Sequence, residues 1–175
     1  MTSTPRALTM AFALVLGTAL SASAQAKTDD AQIAAIAVDA NQVDVDAGKL
    51  ALSKAKNPEI KKFAQTMVTD HSGAIKSATD LVTKLKVTPK ENETSMALTK
   101  DGQEERAKLS KLSGDAFDKA YIDNEVAYHK TVDSALQNTL IPSASNPQLK
   151  DLLTTGLKIF QGHEQHAEHV AAEFK

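Results

Sequence analysis

The dipeptide Asn-Pro occurs twice, at Asn57-Pro58 and Asn146-Pro147. Each time it opens a long run whose apolar residues recur every three or four positions. An Asn side chain caps the first N–H groups of a helix, and Pro fits the first helical position because its missing N–H has no partner there anyway. After Pro58 the apolar face reads Ile60, Ala64, Met67, His71, Ile75, Ala78, Val82 and Leu85. After Pro147 it reads Leu149, Leu152, Leu153, Gly156, Ile159, Phe160, His163, Ala167, Val170 and Phe174. This spacing predicts amphipathic helices over 58–86 and from 147 to near the C-terminus.

Each of these runs follows another long helical segment after a short turn. One covers 29–55, with Thr28 as N-cap and the face Ile33, Ile36, Ala40, Val43, Ala47, Leu50 and Ala51. The other covers 115–140, with Phe117 at its start and the face Tyr121, Ile122, Glu125, His129, Val132, Leu136 and Leu140. The polar segment 88–114 joins the two pairs, with a short helix expected over 103–112 and a break at Ser113-Gly114. A helix of about 28 residues is roughly 42 Å long, and a connection of this length can run beside it. The predicted fold is all-α: a four-helix bundle with a ferritin-like long crossover between helices two and three that carries a short helix. The likeness between the segments starting at Asn57 and Asn146 suggests a duplicated two-helix unit, although a shared capping solution explains it almost as well.

The first 26 residues read as a secretory signal peptide: Arg6, then an apolar stretch over 7–22, then Ala22-Ser23-Ala24 and Ala24-Gln25-Ala26 as small-x-small cleavage signals. Residues 27–175 are then a single domain. Without Arg6 the remainder has 19 Lys and Arg against 22 Asp and Glu. Its lysines are scattered with no aromatic interleaving, which excludes a nucleic-acid surface. No second apolar stretch could span a membrane, and the protein partner is unspecified. The chain has no Cys, so an exported protein of this sequence is held by packing or by metal. Periplasmic residence follows, with peripheral association with the envelope as an option.

Polar residues interrupt the apolar faces. At 100° per residue His71 is nearly central on helix two, Glu125 is central on helix three with His129 one turn on, and His163 is near the centre on helix four. Asp44 is at the edge of the helix-one stripe. Asp39 and Asp46 lie on the other flank, Asp46 being the weaker core candidate. Each of Asp44, His71, His129 and His163 lies 13 to 16 residues from the start of its own helix, so all share one level of a bundle. His166 falls at an edge and His169 faces water.

Two readings of this layer compete. In one, His71, Glu125, His129 and His163, with Asp44, bind one or two transition-metal ions: iron, zinc, manganese or copper. In the other, they form a metal-free hydrogen-bond network that fixes helix register in a structural or partner-binding module. A dinuclear oxidoreductase is a third reading, against which stands the lack of Glu-x-x-His on any helix. There is no defensible Ser-His-Asp arrangement, Cys nucleophile or Gly-rich phosphate loop, and the chain is expected to be non-enzymatic.

The run Val45-Asp46-Ala47-Gly48-Lys49-Leu50-Ala51, then Asn57-Pro58 to Phe63-Ala64, then Met67-Val68-Thr69-Asp70-His71 resembles the DUF 4142 family. So does Leu109-Ser110-Lys111-Leu112-Ser113-Gly114-Asp115-Ala116-Phe117-Asp118-Lys119-Ala120-Tyr121 with His129 following, and His163 with Ala167. The resemblance covers nearly the whole chain after residue 26. It implies an exported bacterial protein with a ferritin-like fold, often labelled a membrane or outer-membrane protein, with no established biochemical role. The family pattern matches His71, His129 and His163, and it does not call for His166 or His169. Where relatives tend to carry Glu on helix one, this chain has Asp44 and Asp46. The functional expectation is an exported, non-enzymatic bundle with a mid-bundle metal site, linked to envelope metal handling or oxidative stress. Asp70 is expected to orient a ligand histidine.

Overall fold

A computed structural model describes residues 28–174. The segment read as a signal peptide lies outside them. The described chain is helical throughout, with no strand among the described residues: α1 (Asp30–Lys54), α2 (Pro58–Leu85), α3 (Glu93–Leu109), α4 (Gly114–Ala135) and α5 (Pro147–Ala171). Between α4 and α5 the backbone widens into a π-helical turn at Leu136–Leu140 and closes with the turn Ile141–Ser143. Pro142 has no N–H to offer the preceding turn, and the widening absorbs that loss.

Both Asn-Pro signals act as expected. Asn57 Oδ1 accepts from the Glu59 N–H at 2.8 Å, and Asn146 Oδ1 from the Gln148 N–H at 2.9 Å. The backbone just before each is held from the other helical pair. Asp118 of α4 accepts from the N–H groups of Lys56 and Asn57, and Asp30 of α1 accepts from those of Ser145 and Asn146. These two clamps lie at opposite ends of the molecule. They place the start of α2 beside the start of α4, and the start of α5 beside the start of α1. Thus α1 and α5 run one way, and α2 and α4 the other. The connection is fixed likewise: Lys90 N–H donates to Ala31 O at one end, and Lys54 Nζ to Ser110 O at the other. α3 therefore runs alongside α1 and in the same direction.

Three boundaries differ from the sequence reading. The N-cap of α1 is Asp29 rather than Thr28, because Asp29 and Gln32 satisfy each other's backbone in a capping box. The crossover helix begins at Glu93 rather than near 103, and it is 17 residues long. An Asn92–Ser95 capping box starts it, and Gly102 in its middle is a packing glycine rather than a breaker. A Cβ at Gly102 would come within 2.7 Å of Val43 Cγ1, so the missing side chain is what lets α3 lie on α1. Helix three is α-helical from Gly114, and only to Ala135.

The faces of α2 and α5 are largely as read, although Ile159 is 46 % exposed. α1 departs further. Ile33, Ala34, Ala35 and Ile36 are all buried in succession, as are Asn41, Val45 and Gly48, because α2 covers one side of α1 and α3 the other. One stripe cannot describe a helix packed on two sides.

The apolar core has two parts. One cluster joins Ala51, Ile60, Phe63, Met67, Leu109, Phe117, Tyr121, Ile122 and Val170. The other joins Ile33, Ile36, Leu136, Leu140, Leu149, Leu153 and Phe160. Between them, at mid-height, lie Asn41, Asp44, His71, Glu125, His129 and His163, all buried.

Candidate metal centre

His71 comes from α2, Glu125 and His129 from α4, His163 from α5 and Asp44 from α1. All five meet. One ligand atom each from His71, His129 and His163 lie within 4.8 Å of one another, and the same holds for Asp44, Glu125 and His129. The three imidazole rings are 5.2 to 5.6 Å apart between centroids. Phe160 stacks on the His71 ring at 4.7 Å and closes one side of the group.

The protons on each ring follow from its outer neighbour. The Asn41 Nδ2 donates to Ala37 O at 2.6 Å, which leaves Asn41 Oδ1 as an acceptor for His71 Nδ1–H at 2.8 Å. His129 Nδ1–H donates to the Glu125 carbonyl at 3.0 Å. His163 Nε2–H donates to the Asp70 carboxylate at 3.0 Å. Each histidine thus spends its proton outward. His71 Nε2, His129 Nε2 and His163 Nδ1 keep lone pairs, and all three atoms are buried without a hydrogen-bond partner. Both Asp44 carboxylate oxygens and Glu125 Oε2 are equally bare. Asp44 Oδ2 lies 3.2 Å from His71 Nε2 and 3.5 Å from His129 Nε2.

A carboxylate against two imidazole lone pairs is repulsive unless a proton or a cation stands between them. Burial pushes Asp44 up to about 8, and holds Glu125 well above the carboxylate range with the Asp44 charge adding to it. Burial, with His129 and His163 nearby, brings His71 down to about 2, and burial takes His129 to about 4. Burial lowers His163 too, against the opposing pull of Asp70. At neutral pH the imidazoles are therefore neutral, in the form that ligates metal. The two distances from Asp44 Oδ2 to imidazole nitrogens, 3.2 and 3.5 Å, are close to the edge of a tetrahedron with bonds of about 2.1 Å, which is about 3.4 Å.

Of the sequence candidates, Asp44 stands nearest to two imidazole nitrogens, even though its side chain is short. Asp46 turns away to pair with Arg106 of α3 at 2.7 Å. Asp39 is half-buried and faces Glu91. Asp70 accepts a hydrogen bond from His163 Nε2–H. His166 is half-buried beside Phe63, and His169 is exposed. Asn41 was not singled out in the sequence, although its place one turn before Asp44 was a signal. An Asn on the inner face of a helix needs a partner, and His71 is that partner.

A family described as Domain of unknown function (DUF4142) matches residues 16–170. The chain belongs to the DUF4142 family. No curated protein matches it. Among solved structures, this DUF4142 chain is similar to one titled "CopM in the Cu(II)-bound form", at 17 % identity and a TM-score of 0.64, over 85 % of this chain and 99 % of that one. At that identity the likeness speaks for the helical fold. No helix among the described residues is long and apolar enough to cross a membrane.

Proposed function

We propose that this DUF4142 chain is an exported, non-enzymatic, ferritin-like four-helix bundle that holds a transition-metal ion at mid-height, in envelope metal handling or the response to oxidative stress. Residues 1–26 are its secretory leader, residues 27–175 its single domain and the periplasm its compartment. α1 and α2 form one hairpin, α4 and α5 the other, and α3 is the crossover. One observation carries the metal reading: three histidines spend their protons on Asn41, Glu125 and Asp70, so that three lone pairs are left in one buried layer with the Asp44 carboxylate, which faces two of them. Outer partners of this kind fix ring orientation and tautomer at metal sites.

His71 Nε2, His129 Nε2, His163 Nδ1 and Asp44 are the proposed ligands, with Glu125 as a second carboxylate beside them. His129 has one free nitrogen, which favours one ion over two. Nitrogen and oxygen donors without thiolate suit copper(II), zinc, iron(II) or manganese. A structural relative solved with Cu(II) makes copper a sensible first metal to try. The test is metal analysis of untagged protein purified from periplasm. The expected result is about one ion per chain, lost on replacing His71 and His163 with Ala. Sub-stoichiometric metal that does not change in that variant would end the proposal.

A metal-free network is the second reading, favoured by the upward shift of Asp44, which lets a proton take the cation's place. It predicts the same melting temperature with and without added metal, whereas an ion bound only by the native state must raise it.

A further inference from the structure

The three histidines differ in what stands behind them. His71 is backed by Asn41 and His129 by the Glu125 carbonyl, both neutral and buried. His163 alone is backed by a charge, and that charge reaches solvent: the Asp70 side chain is 41 % exposed. The His163 ring therefore crosses the wall of the bundle. Its Nε2 is at the surface carboxylate and its Nδ1 in the buried layer. One turn further along α5, half-buried His166 sets its ring edge-on to Phe63 of α2, 5.2 Å between centroids. Asp70, His163 and His166 thus line the seam between α2 and α5. On the other side of the molecule α3 covers α1.

We propose that the α2–α5 seam is the port through which a divalent transition-metal cation reaches the buried centre. Asp70 and His166 form the outer capture pair, and His163 is the shared member that links capture pair and centre. This rests on the metal reading of the centre. A carboxylate on the outer nitrogen of His163 and a half-buried imidazole one turn further along the same seam offer a cation donors of the kind it finds inside, and a negative charge at the mouth raises the local cation concentration. His163 is suited to the link because each of its nitrogens faces one of the two places.

Stopped-flow mixing of the metal-free chain with Co(II) alone, read by the visible absorption of the bound ion, separates association from dissociation. The unaltered chain should load at a rate that falls with added salt. Asp70→Asn and His166→Ala should each slow association about tenfold, and Asp70→Asn should weaken the salt dependence. Asn can still accept from His163 Nε2–H, so the ring stays oriented while the charge goes. If Asp70→Asn instead speeds dissociation, with association unchanged in both variants, Asp70 serves only to orient His163 and the port is overturned while the centre stands. If the unaltered chain takes up no Co(II), the centre itself is overturned and the port with it.

Discussion

At the scale of single residues, Asp44 is a costly group to bury. It is 1 % exposed, both of its oxygens lack a hydrogen-bond partner, and Oδ2 faces two imidazole lone pairs. Such a group opposes folding and, under the proposed metal reading, serves ligation, so one substitution should separate the two. Asp44→Asn keeps the shape and puts amide hydrogens where lone pairs need donors. In the wild-type chain, burial raises Asp44 from 3.8 to about 8. The folded state then holds a proton that the unfolded state has released. The stability this proton supports is full below about pH 4 and falls as the pH rises towards and through 8. Metal-free Asp44→Asn should therefore melt increasingly above the wild type as the pH goes from 4 to 8, by about 2–4 °C for each kcal/mol recovered. Its melting temperature should no longer respond to added metal. Thermal melts across that range, with and without Cu(II), check both outcomes. A constant gap across the range would contradict the account of Asp44.

At the scale of helices, the fold depends on where one helix is allowed to approach another. Gly102 and Gly73 both sit inside helices, and Ala is the better helix former by about 1 kcal/mol. A Cβ at Gly73 or Gly162 meets nothing within 4 Å, whereas at Gly102 it would meet Val43 at 2.7 and 2.8 Å. Gly73→Ala and Gly162→Ala should each gain about 0.5–1 kcal/mol. Gly102→Ala should lose about 1–3 kcal/mol as α3 is pushed from α1. Urea unfolding with unchanged slope would read all three. The start of α3 is also sensitive to pH. Burial and then Glu91 raise Asp39 from 3.8 to about 6. Stability from this pair is present below about pH 4 and lost as the pH rises through 6. Asp39→Asn should match the wild type near pH 4 and exceed it at pH 7.5, measured as melting temperature in metal-free protein. Much at this scale was legible in the sequence. The Asn-Pro caps and three-and-four spacing located α2 and α5 because their signals are local. The first half of α3 and the second buried side of α1 were not legible, since nothing local shows that Gly102 packs on α1 until its neighbour Val43 is known. The capping residues Asn92 and Ser95 were the local signal that could have moved the start of α3.

At the scale of the whole molecule, two apolar cores enclose one polar layer, and the crossed clamps of Asp118 and Asp30 hold the helical pairs in register. Counting residues from the helix starts was enough to put Asp44, His71, His129 and His163 at one level, because a helix converts sequence distance into height at a constant 1.5 Å per residue. Which nitrogen of each ring faces inward could not be read that way. It depends on Asn41, on a backbone carbonyl and on Asp70, each fixed by packing between helices. The histidine-dense stretch 162–169 illustrates the difference: His163 enters the layer, while His166 stays at the seam and His169 in solvent. Anomalous diffraction at the zinc or copper absorption edge, from crystals grown with that metal, would locate an ion in the buried layer. The account predicts one strong peak about 2.0–2.2 Å from His71 Nε2, His129 Nε2, His163 Nδ1 and an oxygen of Asp44. A buried layer with no peak, and metal found only at the half-buried and exposed histidines His166 and His169, would contradict it.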